Sequence, residues 1–276
     1  MKAVCPVCPH HCALEEGMRG LCRARVARGG EVVCANYGIL SALALDPIEK
    51  KPLARFHPGS RILSMGSFGC NFKCGFCQNH DIAQSDGMDL PLRKDTPEQL
   101  VQSALALRQQ GNIGLAYTYN EPLVGYEFVR DCAKLAHEHG LLNVVVTNGY
   151  ICEEPLIKLL PYIDAMNIDL KAFSEDFYHS IGGDLETVKR SIALSAQHCH
   201  VEVTTLVIPG ENDSEEEMHA LASWLACVNP EIPLHISRFF PRHKMRDKSP
   251  TPVQTVYRLA QIAREDRKST RLNSSH

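Results

Sequence analysis

The sequence has no long apolar run and no excess of positive charge. Nowhere in its 276 residues is there an apolar stretch long enough to span a bilayer. The start, MKAVCPVCPHHC, also lacks the apolar core of a secretory signal. The formal net charge is −3, so a global basic surface for nucleic-acid phosphates is missing. We therefore expect a cytosolic (cytoplasmic) protein with no membrane span and no nucleic-acid partner.

The composition is that of a globular protein, with 44% hydrophobic and 22% charged residues. The length suits one large α/β domain with an N-terminal appendage. We expect a cysteine-rich extension and linker at 1–60 and a core at 61–266. The last residues, 267–276, lose apolar periodicity and resemble a foreign junction, so we expect a non-native or truncated tail there.

Cysteine is the unusual residue, with twelve in the chain. A cytosolic protein keeps its thiols reduced, so clustered cysteines indicate metal binding or catalysis rather than disulfides. The scattered cysteines need no special role, since cysteine packs as a small buried side chain. Seven lie in two tight groups: Cys5, Cys8, Cys12 and Cys22, then Cys70, Cys74 and Cys77.

From residue 61 onward, short β-branched runs alternate with helical stretches, which is typical of repeated βα units around a parallel sheet. Thr96 is expected to cap the first of these helices, with Pro97 at its first position. The pattern fits an open doubly wound sheet or a partial (β/α) barrel, and both gather chemistry beyond the carboxyl ends of the strands. The predicted strands are RILSMG, IGLAYTY, LNVVVTN, AMNIDL, VEVTTLVI and IPLHIS.

The first of these strands is followed by GCNFKCGFCQN, residues 69–79. One short loop with several thiols suits an iron–sulfur cluster, because each thiolate binds one corner of a compact cluster. Three local cysteines would leave the fourth iron of a [4Fe–4S] cluster open to another ligand. A structural zinc site is the alternative, and it would need a fourth ligand such as His80.

The spacing Cys70-x3-Cys74-x-Phe76-Cys77 resembles the signature of radical SAM enzymes. The resemblance implies a partial (β/α)6 TIM-like barrel and a [4Fe–4S] cluster on Cys70, Cys74 and Cys77. It also implies that S-adenosylmethionine (SAM) chelates the open iron. Reductive cleavage then yields methionine and a 5′-deoxyadenosyl radical, which abstracts hydrogen from a substrate, so the resemblance implies an oxidoreductase.

Further segments resemble those of pyruvate formate-lyase activating enzymes. YTYNEPL is similar to their GGEP segment, although its two glycines are absent, and places Asn120 and Glu121 near the methionine amino group. TNG and DLK are similar to segments that approach the methionyl carboxylate and the ribose, which implies SAM-binding roles for Asn148, Asp169 and Lys171. A strand-end salt bridge between Lys171 and Asp169 is the plainer interpretation of that pair.

Over residues 1–260 the chain looks closest to the radical SAM members of the AmmeMemoRadiSam system. That resemblance implies a one-electron donor such as flavodoxin or ferredoxin. It also implies either a protein substrate, such as a glycyl radical partner, or Memo-type and AMMECR-type companion proteins. VIPGEND matches a turn of the activating enzymes. His235 on the last predicted strand is expected to be a plain buried histidine rather than a cofactor contact.

Two segments of the N-terminal part stay open to more than one interpretation. Cys5, Cys8, Cys12 and Cys22 can bind zinc or an additional iron–sulfur cluster, or can be reduced thiols packed against the barrel. DPIEKKPL, residues 46–53, predicts a solvated linker or a lid over the substrate mouth. The rival function for the whole chain is a zinc-binding or redox-sensing module without radical chemistry, and an iron–sulfur electron carrier is a third.

Overall fold

The computed structural model describes residues 2–265 and 270–273. Its N-terminal part is built from short antiparallel pairs, β1 with β2 and β3 with β4. β6 belongs to the main sheet, where it pairs antiparallel with β7, although it lies inside the range expected to be extension and linker. The first seven strands are β1 Ala3–Val4, β2 Ala13–Leu14, β3 Arg25–Arg28, β4 Glu31–Cys34, β5 Ile39–Leu40, β6 Ala42–Pro47 and β7 Arg61–Gly66.

The predicted βα repeat is confirmed. Six strands, β7 and β9 to β13, lie side by side in parallel and in chain order, each within two residues of the predicted bounds. β14 continues the sheet beyond β13, and β8 pairs with β5 away from it. The remaining strands are β8 Arg93–Lys94, β9 Asn112–Tyr117, β10 Leu142–Thr147, β11 Ala165–Asp169, β12 His200–Val207, β13 Leu234–Arg238 and β14 Thr270–Asn273. The other residues of the expected tail, 267–269 and 274–276, lie outside the described residues.

The helices begin where local capping chemistry favours them. Thr96 accepts a hydrogen bond from the Gln99 backbone while the Gln99 side chain accepts one from the Thr96 backbone, as the N-cap prediction requires. Ser174, Asp184 and Ser214 cap later helices by accepting a hydrogen bond from a backbone N–H three residues on, without the reciprocal bond. The α-helices are α1 His80–Ala83, α2 Pro97–Ala106, α3 Tyr126–Glu138, α4 Glu153–Leu159, α5 Glu175–Ile181, α6 Leu185–Ser195, α7 Glu215–Val228 and α8 Val253–Glu265. Within the described residues, no helix has the length and apolar character needed to cross a membrane.

The sheet is curved into a partial barrel. Alternate strand residues such as Leu115, Val145 and Ile168 face outward into the core shared with the helices. Their neighbours face inward and form a second buried cluster, made of Ile62, Ala116, Val144 and Ala165 around Ile48 and Leu53. Because one chain segment contacts four successive strands from inside, the sheet wraps around it as a barrel wall does.

That enclosed segment is DPIEKKPL with the residues after it, and it corrects both predictions for 46–53. Ile48 and Leu53 are fully buried, so the segment is neither a solvated linker nor a lid. We call residues 46–56 the barrel plug. The charge pattern was misleading because Lys51 and Asp46 pair with each other inside the barrel, whereas only Glu49 and Lys50 of the charged residues are exposed.

Glu202 on β12 holds the end of the barrel plug. Its carboxylate accepts hydrogen bonds from the backbone N–H groups of Ala54 and Arg55, at 2.9 and 2.7 Å. His200 and His235 contact the same carboxylate at 2.9 and 2.5 Å. His235 is therefore a buried histidine bound to Glu202, as expected, and it does not contact the cavity described below.

Candidate active site

The three-cysteine loop leaves the carboxyl end of β7 and turns back across the barrel mouth. Gly69 has φ of +90°, and a side chain there would meet the Cys22 carbonyl oxygen at 2.5 Å, so only glycine fits. The loop is thereby packed directly against the N-terminal extension. Cys70, Cys74 and Cys77 all line one cavity of about 580 Å³.

The loop thiols are shielded from water. Burial raises the pKa of Cys74 to about 11 and raises the pKa of Cys70 well above its ordinary value. The thiols therefore keep their protons at neutral pH until a metal displaces them. The Asn148 amide lies 3.7 Å from the Cys70 sulfur, and the Phe72 backbone N–H lies 3.4 Å from it.

A zinc site completed by His80 is not assembled here. His80 stacks on His243 with ring centres 4.3 Å apart and contacts Asp81 at 3.1 Å. Across residues 2–265, no three side chains of cysteine, histidine, aspartate or glutamate converge closely enough to bind a single metal ion. The loop thus presents three separated thiols to a shared space rather than a closed tetrahedron.

Glu121 ties the ends of two neighbouring strands together. Its carboxylate accepts hydrogen bonds from the Thr147 hydroxyl at 2.7 Å, the Asn148 N–H at 2.7 Å and the Leu123 N–H at 3.0 Å. Burial raises the pKa of Glu121 to about 7, although these hydrogen bonds oppose the shift. The site therefore holds a nearly water-free carboxyl group beside the loop thiols.

Two asparagines fix the position of the loop. The Asn120 amide donates to the carbonyl oxygens of Phe68 and Gly69, at 3.2 and 3.0 Å, and its oxygen accepts from Ser67 N–H. The Asn148 amide donates to the Asn71 side chain at 2.8 Å. Asn120 and Asn148 therefore join the three-cysteine loop to the ends of β9 and β10.

Lys171 and Asp169 form the salt bridge that the plainer interpretation expected, with Nζ and Oδ2 2.9 Å apart, and both also line the cavity. Burial alone would lower the pKa of Lys171, but the Asp169 carboxylate raises it above the ordinary lysine value. The ammonium is thus positively charged, and it lies 5.9 Å from the ring centre of Phe76, which packs beside Phe177.

The structure brings all nine predicted site residues into this one cavity. Its wall also contains residues that the sequence interpretation missed, above all Asp46, Lys51, Tyr119 and Arg238. Tyr119 has φ of +73°, which is rare for a bulky residue and typical of functional sites. In the sequence, the apolar residues Ile48 and Leu53 on either side of Lys50 and Lys51 were the signal that segment 46–53 is buried. The nine predicted residues are Cys70, Cys74, Phe76, Cys77, Asn120, Glu121, Asn148, Asp169 and Lys171.

The four N-terminal cysteines meet at a second, much smaller cavity of about 10 Å³. Cys5, Cys8, Cys12 and Cys22 all line it, and the first, second and fourth of these are buried. All twelve cysteines of the chain are free thiols. The neighbouring His10 contacts the Asn71 carbonyl oxygen at 2.9 Å, so this cavity lies against the three-cysteine loop.

Comparison with known proteins agrees with this architecture. The sequence model of the Radical SAM superfamily matches residues 66–222. An uncharacterized protein of Methanocaldococcus jannaschii is 41% identical over 268 residues, which cover 96% of this chain and 79% of that protein. The Escherichia coli pyruvate formate-lyase 1-activating enzyme is 25% identical over 174 residues, which cover 60% of this chain and 69% of that enzyme. A radical SAM methyltransferase structure from Sphaerobacter thermophilus superposes with a TM-score of 0.58 at 18% identity. The superposition covers 80% of this chain and 68% of that chain, and it shows a shared fold.

Proposed function

The chain belongs to the radical SAM superfamily, and from that premise we propose that it is an activating-enzyme-like radical enzyme acting on an unidentified substrate. The observation that carries the proposal is the cavity at the barrel mouth. Three separated thiols form one side of it, and polar strand-end groups form the neighbouring wall. The proposed setting is the reducing cytosol, where twelve cysteines stay reduced.

The donor set fits a [4Fe–4S] cluster. Cys70, Cys74 and Cys77 would hold three irons, and the loop offers no fourth cysteine. Their raised pKa values make binding release protons, as expected for thiolate ligands. When bound, the cluster and SAM together supply a 5′-deoxyadenosyl radical that abstracts hydrogen from the substrate.

The remaining side chains would bind and orient SAM. The Lys171 ammonium suits the methionyl carboxylate, because a charge pair is strong in a cavity with little water. Glu121, Asn120 and Asn148 hold the strand ends and the loop in register, and Asp169 keeps Lys171 charged. Phe76 packs beside the lysine and helps to exclude water from the reacting groups.

The finer assignments of substrate and partner are part of the same proposal. Similarity to activating enzymes supports an external one-electron donor, such as a flavodoxin or ferredoxin. Membership of the AmmeMemoRadiSam group, with Memo-type and AMMECR-type companions, is proposed from the sequence motifs alone. We also propose that Cys5, Cys8, Cys12 and Cys22 bind a second metal centre, either zinc or iron–sulfur, because all four thiols line one small cavity. Binding would have to draw the thiols closer together, since no three of them are close enough to share a metal ion in the described structure.

Anaerobic reconstitution tests the central proposal. The wild-type protein should bind about four irons and four sulfides at the loop and form 5′-deoxyadenosine from SAM under strong reductant. Cys74→Ala should lose both, whereas Cys227→Ala, which removes an exposed thiol, is the matched control. Zinc binding at the loop with no 5′-deoxyadenosine would contradict the proposal and favour the zinc-binding or redox-sensing alternative.

Metal analysis of a second pair of variants tests the N-terminal centre. Cys5→Ser combined with Cys22→Ser should remove the additional zinc or iron while the Cys74-dependent iron remains. An unchanged metal content would show that the four thiols bind no metal, and the identity of the metal that is lost distinguishes zinc from an iron–sulfur cluster.

A further inference from the structure

The wall formed by the barrel plug has a chemistry that SAM binding does not use. Asp46, Lys50 and Lys51 of the plug line the cavity together with Tyr119, and β13 adds Ser237 and Arg238. We call these six residues the cationic wall. None of them belongs to the three-cysteine loop or to the predicted SAM contacts.

Lys51 is the most deeply placed cation of this wall, with 2% of its side chain exposed. Its Nζ donates to Asp46 Oδ2 at 2.8 Å and lies 4.6 Å from the ring centre of Tyr119. The Tyr119 hydroxyl donates to the same Asp46 oxygen at 2.5 Å. An ammonium carries three N–H donors, and Asp46 is its only hydrogen-bond acceptor within the described residues. The other donors of Lys51 are therefore available to a ligand in the cavity.

The charges of the wall do not balance. Lys50, Lys51 and Arg238 are basic and Asp46 is the single acid, which gives the six residues a formal net charge of +2. Burial lowers the pKa of Lys51 although Asp46 opposes the shift. Asp46 stays ionised because its contacts with Lys51, Tyr119 and Lys50 lower its pKa to about 2 against the opposing effect of burial. Arg238 donates to the Thr251 carbonyl oxygen and lies over the Phe240 ring, 4.9 Å from its centre, and none of the ion pairs among the described residues includes it. An excess of positive charge on one wall favours an anion, although only Lys51 of the three cations is buried and the Lys50 side chain is 56% exposed.

The barrel plug also limits the size of what can enter. Ile48 and Leu53 fill the inside of the barrel against β7, β9, β10 and β11, so the floor beneath Lys51 is closed. The cavity volume of about 580 Å³ is in the usual range for small-molecule sites, and the cluster and SAM proposed above would occupy part of it, so the room left beside the wall is that of a small ligand. The floor and the polar wall together suit a small ligand better than a loop of a folded protein.

We propose that the cationic wall, centred on Lys51 and Arg238, binds the carboxylate or phosphate group of a small organic substrate beside the SAM site. This inference rests on the radical SAM function proposed above, and it specifies the substrate class for that site. Ser237 is the neutral group placed to donate to the same anion. The Tyr119 hydroxyl already donates its proton to Asp46, so it can only accept a hydrogen bond from the rest of the substrate.

Thermal unfolding of the reconstituted, SAM-saturated protein tests this inference under anaerobic conditions. The probes are inorganic phosphate and malonate, each compared with chloride at equal ionic strength. Wild-type protein should be stabilised saturably by at least one probe, and the effective probe distinguishes a phosphate from a carboxylate preference. Lys51→Gln and Arg238→Gln should each weaken the apparent affinity roughly 10- to 100-fold, as for loss of a hydrogen bond to a charged group.

Lys158→Gln is the matched control, because Lys158 is exposed on α4 and pairs only with Glu154 among the described residues. It should keep the wild-type anion response. If Lys51→Gln does not fold, Arg238→Gln decides, since Arg238 lies outside the Asp46 pair. The inference would be overturned if the anions did not stabilise the wild type saturably. It would also be overturned if Lys158→Gln lost as much anion affinity as Lys51→Gln and Arg238→Gln.

The two proposals fail in distinguishable ways. A wild-type protein that forms no 5′-deoxyadenosine contradicts the radical function itself. Active SAM cleavage without any anion response leaves that function intact and rejects the cationic wall as a substrate site. Hydrogen abstraction from a protein glycine by an enzyme with no anion response would likewise reject it in favour of a macromolecular substrate.

Discussion

Glu121 shows how one side chain can join the strand ends that form a site. It connects the end of β9 to the end of β10 through two hydrogen bonds, accepts a third from the nearby Leu123 N–H, and is 4% exposed. The NEP motif pointed to this residue from the sequence, because polar groups after a parallel strand gather at one edge. Its actual partners, Thr147 and the Asn148 N–H, depend on the register between two strands.

Replacement of Glu121 by alanine should therefore destabilise the strand ends. Each buried donor left without an acceptor costs about 1–3 kcal/mol, and SAM affinity should fall because Asn148 is released. Chemical denaturation and equilibrium SAM binding would measure the two effects. Glu138→Ala on the exposed side of α3 is the control, and equal effects in both variants would contradict the organising role.

At the scale of elements, the barrel plug differs most from its prediction. Charged residues beside prolines indicated a solvated segment, and local patterns of this kind reflect average exposure. The segment is instead held by contacts from far along the chain, with Ala54 and Arg55 bound to Glu202 and Pro52 accepting from Asn167 at 2.9 Å. The helices and strands were predictable because their caps and periodicities are local.

The plug anchor should make stability depend on pH. Burial by itself would raise the pKa of Glu202. Hydrogen bonds from His200, His235 and two backbone N–H groups lower this pKa by more, so the net shift is downward. A carboxylate whose folded-state pKa is depressed stabilises the fold above its unfolded pKa of roughly 4.3, and loses that contribution as pH falls further.

We expect Glu202→Gln to lose about 3–5 kcal/mol at neutral pH, as for breaking a buried charged network. Its unfolding free energy should also decline less than that of the wild type as the pH drops below roughly 4.3. Denaturant titrations at several pH values measure both. Glu216→Gln, on the exposed first turn of α7, should behave like the wild type. If the unfolding free energy of Glu202→Gln fell with acid as steeply as that of the wild type, Glu202 would not be the anchor of the barrel plug.

At the scale of the whole molecule, the two sides of one cavity come from the first and the last of the six parallel strands. The three-cysteine loop follows β7, while Arg238 ends β13, and the N-terminal extension packs on the loop through Gly69. Ligand binding at such a junction should stabilise the entire fold, because it bridges elements that otherwise separate on unfolding.

SAM should therefore stabilise the reconstituted wild-type protein by about 2.7 kcal/mol at a concentration one hundred times its dissociation constant. The Cys74→Ala variant, which cannot hold the complete cluster, should show a much smaller shift. Anaerobic thermal unfolding with and without SAM provides the comparison. The same shift in both proteins would mean that SAM binds without help from the loop.

The sequence by itself determined the βα repeat, the helix caps and the three-thiol loop, since each depends on residues close together along the chain. Those features also carried the resemblance to radical SAM enzymes. Only the tertiary structure decided that the charged segment 46–53 is a plug and that Lys51 faces the cavity. It also decided that His235 binds Glu202. The physical reason is that curvature of the sheet selects which distant side chains meet inside the barrel, and local propensities carry no information about that curvature.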